Sequence, residues 1–304
     1  NEEFFLLIMP ILFWSVDARL GLRVGLILMA SAWTNGVAKI LLHGPRPYFY
    51  DPRVSALSSE TSFGPPSGHA QNAAAVWGLV AAWAGSPAGW ILAVVLIFLI
   101  GLSRLYLGVH FLGDVLIGWA LGGVLVWAFR RFERPVTERL RRLSPGSLLL
   151  VLLALSLGMA LIPAAATASL GAWTLPADWA ANILQDLPED PLPDPLALSG
   201  MITLAGAFFG LSAGAVFLQR RGGYDAGGSP ALRLLRYPVG LAGVVVLWFG
   251  LGAVLPRGEE FLPYLYRFIR YALVGGWITF GAPLVFFRLG LAGRSERHPT
   301  LAQM

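Results

Sequence analysis

Nine mostly apolar stretches, at about 4–16, 20–42, 68–85, 87–104, 112–130, 147–163, 199–218, 237–256 and 265–288, leave this 304-residue chain little choice of environment. A helix that crosses a bilayer needs roughly 20 such residues, and all but the first stretch approach that length. Charged residues make up 13% of the chain and hydrophobic ones 56%, whereas soluble proteins carry about 25% charged residues. Such a chain cannot cover a water-facing surface. The pattern predicts an all-α, polytopic helical membrane protein with about nine transmembrane helices. The first stretch, 4–16, is short enough to lie in the interface instead of crossing.

The arginines set an orientation, because cytoplasmic loops are enriched in Lys and Arg. Arg130, Arg131, Arg134, Arg139, Arg141 and Arg142 fall in one loop, and Arg220, Arg221, Arg233 and Arg236 in another. Arg288, Arg294 and Arg297 follow the last span. The segment 164–198 has no basic residue and carries Asp178, Asp186, Glu189, Asp190 and Asp194. These alternate as nine spans require, with the basic loops inside and the acidic segment outside. The net charge of +5 therefore points to membrane topology and not to nucleic acid. Cysteine is absent, which removes disulfides and thiolate metal sites. No cleavable signal peptide is evident. Pro188–Pro195 reads as an extended linker, and Gly206, Gly210 and Gly214 as a helix-packing stripe.

Three polar clusters interrupt the first half, and all three count back to the external face. The only lysine, Lys39, stands seven residues before Arg46-Pro47, while the other 21 basic residues are arginine. Pro45 and Pro47 should break the helix, leaving Lys39 at its end and Arg46 in the loop beyond. Pro66-Ser67-Gly68-His69 precedes an apolar run, so Ser67 is expected to cap a helix whose free N–H groups suit an anion. Ser103-Arg104 is followed by His110 and Asp114. On a helix, positions four apart share a face, so Asp114 would orient the His110 imidazole, whose other nitrogen would attack. Three cations, two imidazoles and a carboxylate suit phosphoryl transfer, which needs positive charge around the phosphoryl oxygens, a nucleophile and an acid. The competing use of His69, His110 and Asp114 is a metal site, which three neighbouring cations disfavour. His43 and His298 read as non-catalytic.

The three clusters, K-x6-R-P, P-S-G-H and S-R-x5-H-x3-D, resemble in order and spacing the signature of the type 2 phosphatidic acid phosphatase superfamily, over roughly residues 20–130. The resemblance implies a transmembrane catalytic domain at 1–146 and no metal or other cofactor. It implies that His110 is a nucleophile forming a phosphohistidine, oriented by Asp114, and that His69 protonates the leaving oxygen. Lys39, Arg46, Ser67, Gly68 and Arg104 would bind the substrate phosphate. The expected activity is hydrolysis of a lipid mono- or diphosphate, of the undecaprenyl pyrophosphate or phosphatidic acid type, on the periplasmic face of a bacterial inner membrane. A lipid phosphotransferase, a sugar-phosphate phosphatase and a non-catalytic lipid transporter are the alternatives. The strings Arg46-Pro47-Tyr48 and Ser103-Arg104-Leu105-Tyr106-Leu107 are also similar to glucose-6-phosphatase.

Residues 147–304 form an accessory region with four further helices, which would shape a lateral entrance for lipid or stabilise a homodimer. Its polar exception is Arg267 and Arg270, near the external end of the last span, against the charge pattern. They would contact an anionic headgroup or simply snorkel from an interfacial helix at 261–271. Trp173, Trp179, Tyr264, Tyr266 and Trp277 suit an interfacial belt.

Overall fold

The computed structural model describes residues 10–295. A π-helical turn at Leu12–Val16 leads into α1 (Ala18–Leu42), a short α2 (Pro47–Tyr50), α3 (Gly68–Ala84), α4 (Pro87–Tyr106), α5 (Leu112–Arg141) and α6 (Pro145–Ser169). After these come α7 (Ala177–Asp186), α8 (Ser199–Arg220), α9 (Pro230–Val245), α10 (Leu251–Val254), α11 (Phe261–Gly276) and α12 (Ala282–Arg288). No strand occurs among the described residues. The all-α class is as expected, and among the described residues seven helical segments are long and apolar enough to cross a membrane, fewer than the nine stretches of the sequence. α3 has only 17 residues and opens on the polar His69, Gln71 and Asn72. Of the stretch 4–16, residues 4–9 lie outside the described residues, as does His298.

The chain forms two compact units. One comprises residues 27–131 and 161–198 and holds the three polar clusters. Its helix ends follow from local chemistry. Gly85, at φ 63°, closes α3 in the left-handed region, and the Ser86 hydroxyl accepts from Gly89 N at 3.1 Å to start α4, with Pro87 in its first turn. α3 and α5 approach closely because Gly118 and Gly122 have no side chain. A Cβ at Gly118 would stand 2.7 Å from Ser67 O, and one at Gly122 2.6 Å from Gln71 O. A buried ladder of amides fastens α1 to α3. Asn35 donates to Gln71 Oε1 at 2.9 Å and to Pro66 O at 3.2 Å, and Gln71 donates to Ser31 O at 2.9 Å. Burying these groups costs nothing net only because each finds its partner.

The acidic segment packs within this same unit. Amphipathic α7 buries Ile183 against Tyr48, Phe49, Ala56 and Val109. Asn182 donates to Phe49 O at 2.9 Å, and Asp186 accepts from Ala56 N at 2.5 Å. Trp173 meets buried Phe63 edge-on at 5.1 Å. Residues 188–195 are irregular, as their prolines require.

The other unit comprises residues 10–26, 132–160 and 199–295. Its tightest contact is α8 against α11. A Cβ at Gly206 would strike Phe268 O, one at Gly210 Ala272 O and one at Gly214 the Thr279 hydroxyl. The glycine stripe is thus a packing surface, as its spacing implied. Thr279 donates to Leu211 O at 2.9 Å and Ser156 to Ala205 O at 2.6 Å across helices. Trp277 also has a packing role. It begins a π-helical turn, Trp277–Gly281, packs on Gly243 and donates to Gly240 O at 2.8 Å. Arg236 is no free loop charge either. It is 1% exposed and donates to the carbonyls of Trp14, Ala226, Gly227 and Leu291.

Candidate active site

α1 delivers Lys39 in its last turn, and the chain then breaks at Gly44-Pro45-Arg46-Pro47, with Arg46 just ahead of α2. The side chain of Arg46 is 1% exposed and organises the site. Its Nη2 donates to Phe63 O and to Ser62 Oγ, both at 3.1 Å, and its Nε to Ser62 O at 2.8 Å. Its Nη1 donates to Val109 O at 2.9 Å and to His110 Nε2 at 3.3 Å. One guanidinium therefore ties the 60–64 loop to the 109–110 turn. The Lys39 ammonium reinforces the loop by donating to Phe63 O and, at 2.9 Å, to Gly64 O.

His110 and Asp114 meet, but not as two residues on one helix face. His110 precedes α5, and Asp114 lies in the first turn of α5. Asp114 Oδ2 accepts from Phe111 N at 3.0 Å and from His110 Nδ1 at 3.2 Å. It thus acts as the acidic half of a capping box while holding the imidazole. The proton positions follow by elimination. A carboxylate only accepts, so Nδ1 carries the proton, and a guanidinium only donates, so Nε2 presents its lone pair. Burial pushes the His110 imidazole down to about 4, against the hydrogen bond it donates to Asp114, and Arg46 and Lys39 add to the push. His110 is therefore neutral at pH 7 and ready to act as a nucleophile.

That shift has a sign that can be checked. An unfolded histidine titrates near about 6.5. As pH falls from there toward about 4, the unfolded chain takes up a proton that folded His110 refuses, so stability is lost across that window. For the same reason the acid limb of kcat/KM is expected near pH 4 and not near 6.5. A pH–rate profile with a half-point above 6 for nucleophile protonation would contradict this environment.

The Pro66-Ser67-Gly68-His69 cluster starts α3, with the Ser67 N–H donating to Asp114 O at 3.0 Å. Ser67 occupies the N-cap position, but its hydroxyl does not cap the helix, contrary to expectation. Its Oγ is buried without a partner among the described residues. An unmatched buried hydroxyl costs about 1–3 kcal/mol, and a phosphate oxygen would satisfy it. Ser67→Ala is accordingly expected to leave the melting temperature equal or higher while lowering kcat/KM by about tenfold, the value of one lost hydrogen bond to a charged group. A fall in both would show that the hydroxyl serves the fold.

Gly68 lets the backbone pass close to Asn35, whose Oδ1 would lie 3.0 Å from a Cβ there. His69 is half-buried in the first turn of α3 and makes no hydrogen bond among the described residues. Arg104, in the last turn of α4, uses only Nε, toward Ser103 Oγ at 3.3 Å. It acts electrostatically on both His69 and Arg46. The structure thus brings His110, Asp114, Arg46 and Lys39 together through direct bonds and a shared carbonyl, and ties Ser67 in through the backbone. His69 and Arg104 stand by with donors uncommitted. His43 lies apart as an exposed residue edge-on to Phe63.

One participant was not foreseen. Glu60 Oε2 lies 3.5 Å from Arg46 Nη2. Burial opposes its ionisation, but Arg46, His69, Lys39 and His110 outweigh that and hold its carboxyl below the usual value. It supplies the negative charge that the cations hold here. Glu60 lies in an irregular loop with no periodic relation to the clusters, so spacing gave no signal for it. No group of three or more His, Asp or Glu side chains among the described residues is arranged to hold a metal ion.

Comparison with known proteins identifies the family. Residues 20–138 match the PAP2 superfamily profile, and residues 202–294 match a second profile described as the PAP2 superfamily phosphatase transmembrane extension. The chain belongs to the PAP2, or type 2 phosphatidic acid phosphatase, superfamily. It is 34% identical to phosphatidylglycerophosphatase B of Bacillus subtilis over 125 residues, covering 38% of this chain and 59% of that protein. It is also 34% identical to mouse sphingosine-1-phosphate phosphatase 2 over 136 residues, covering 42% and 36%. A third relative, bovine glucose-6-phosphatase 3, is 29% identical over 150 residues, covering 41% and 43%. The chain thus spans less than two thirds of these relatives. No solved structure matches it.

Proposed function

We propose that this protein is a metal-independent membrane phosphatase that hydrolyses a lipid phosphate through a phosphohistidine on His110. The observation that carries this reading is the paired geometry of one imidazole. Nδ1 is held by Asp114 at 3.2 Å, and the lone pair of Nε2 faces Arg46 Nη1 at 3.3 Å. A phosphorus atom approaching Nε2 would bring its oxygens onto that guanidinium, with Lys39, Arg104, the Ser67 hydroxyl and the Gly68 amide completing the cradle. His110 Nε2 forms the N–P bond as the P–O bond to the leaving group breaks. Burial and Arg104 disfavour a charged His69 in the free site, whereas a bound phosphate dianion favours it. His69 so protonated gives its proton to the departing oxygen. Water then attacks phosphorus, His69 takes the water proton, and the N–P bond breaks to release phosphate and neutral His110.

The lipid class rests on the membrane spans and on two relatives named for lipid substrates, phosphatidylglycerophosphate and sphingosine 1-phosphate. The arginine-rich loops support a site on the opposite face, the periplasmic one in a bacterial inner membrane. A sugar-phosphate substrate is the second reading, favoured by the glucose-6-phosphatase relative. Phosphate release by the purified chain separates them. The panel is phosphatidylglycerophosphate, phosphatidic acid, undecaprenyl pyrophosphate and glucose 6-phosphate, with EDTA present. Release from a lipid with none from glucose 6-phosphate is the expected result. Release that requires added metal, or only from the sugar phosphate, would overturn the reading.

A further inference from the structure

The second unit gathers three arginines, Arg257, Arg267 and Arg270, around one turn. They line a shallow, solvent-open pocket with Leu255, Pro263 and Tyr266. The cavity is formed by the turn between α10 and α11 and by the first three turns of α11. That turn lies at the end of these helices away from Arg220, Arg221, Arg233 and Arg288. By the charge bias of membrane proteins, this face should be poor in arginine.

An arginine near a membrane helix end can carry its guanidinium to the interface, where it meets headgroups and ions. Arg236 shows how this unit satisfies a structural arginine, with four carbonyl contacts around one guanidinium. The cavity arginines are supplied differently. Arg267 Nη1 donates to Thr203 Oγ1 at 3.0 Å, and Arg257 Nη2 donates to Gly252 O at 3.3 Å. Arg270 packs over the Tyr271 ring at 4.9 Å, and its buried Nε has no hydrogen-bond partner among the described residues. An arginine carries five N–H donors, so most of the fifteen donors here are unused. No carboxylate lines the cavity, and Glu259 and Glu260, in the same turn, form no ion pair with the three among the described residues. Gly252 makes room, because a Cβ there would stand 2.7 Å from Arg270 Nη1. The result is a concave, cationic, acid-free site with a tyrosine beside it. Guanidinium forks match a phosphate group bidentately.

We propose that Arg257, Arg267 and Arg270 form a second oxyanion site, which takes a phosphate group either on an anionic lipid headgroup or as the free ion. The pocket is shallow and open, so a lipid would offer only its phosphate there while its chains remain in the bilayer beside α11. The site does not depend on the phosphatase reading, because it can be assayed by binding alone.

The full-length protein is purified as wild type, as Arg257→Glu and as the double variant Arg267→Gln/Arg270→Gln. Arg257 is exposed, so its replacement leaves the fold intact while placing a carboxylate against the other two guanidinium groups. Retention of phosphatidylglycerol against phosphatidylcholine is read by native mass spectrometry, and inorganic phosphate binding by calorimetry. The cations around His110 contribute equally to all three proteins, so the difference isolates the cavity. The expected result is at least tenfold weaker binding of one probe in both variants. Loss confined to phosphatidylglycerol identifies a lipid headgroup, and loss for inorganic phosphate identifies the free ion. Equal binding of both probes by wild type and Arg257→Glu would overturn the proposal, even if the double variant misfolds.

Discussion

His110→Ala is expected to lower phosphate release by about 10⁴-fold or more, as removal of a covalent nucleophile does elsewhere, without unfolding the protein. The fold should survive because His110 lies in a turn outside any helix and its Nδ1 makes a single bond to Asp114. Asp114 keeps its bond from Phe111 N when the imidazole is gone. The effect therefore belongs to the chemistry, and an unchanged circular dichroism spectrum beside lost turnover would show it. Asp114→Asn should cost less, about 10²–10⁴-fold, because the nucleophile remains but its tautomer is no longer enforced. A His110→Ala protein that retains a tenth of wild-type turnover would contradict the assignment.

The second large effect is at Arg46. Arg46→Lys keeps the positive charge yet is expected to lower kcat/KM by about 10²–10³-fold, the range for losing an oriented donor to a transition-state oxygen. Only a guanidinium can reach Ser62, Phe63, Val109 and His110 Nε2 together. An ammonium has three donors on one atom and cannot span the two loops. The lost carbonyl bonds should also lower the melting temperature, since each buried one contributes about 1 kcal/mol. If Arg46→Lys keeps wild-type turnover, charge alone suffices and the geometric argument fails. Glu60 adds a check, because its carboxylate shares the same guanidinium at 3.5 Å.

Much of this was legible in the sequence, and the parts that were not share a physical cause. The apolar run at 20–42 became α1, and the Pro45–Pro47 break placed Lys39 and Arg46 as the backbone chemistry of proline dictates. The glycine stripe in α8 packed as its four-residue spacing implied. The failures lie where tertiary contacts override local pattern. Ser67 looked like a cap, but its hydroxyl stays unpartnered while its backbone N–H is taken by Asp114 O. His110 and Asp114 met across a helix start and not along a helix face, a geometry that the same spacing of four allows. The packing of Trp277 in a π-helical turn had no signal, because aromatic character alone does not mark such a position. α7 hid inside an acidic, proline-flanked segment because ten residues are too few for a hydrophobic run to show. Glu60 was invisible because loops carry no period.

The most direct test of the central claim is to trap the intermediate. Purified protein is mixed with a lipid phosphate labelled with ³²P, quenched in alkali within milliseconds, digested and sequenced by mass spectrometry. The account predicts an alkali-stable, acid-labile label on the peptide containing His110, absent from His110→Ala. Turnover with no trapped label, or a label on His69, would show that His110 is not the nucleophile.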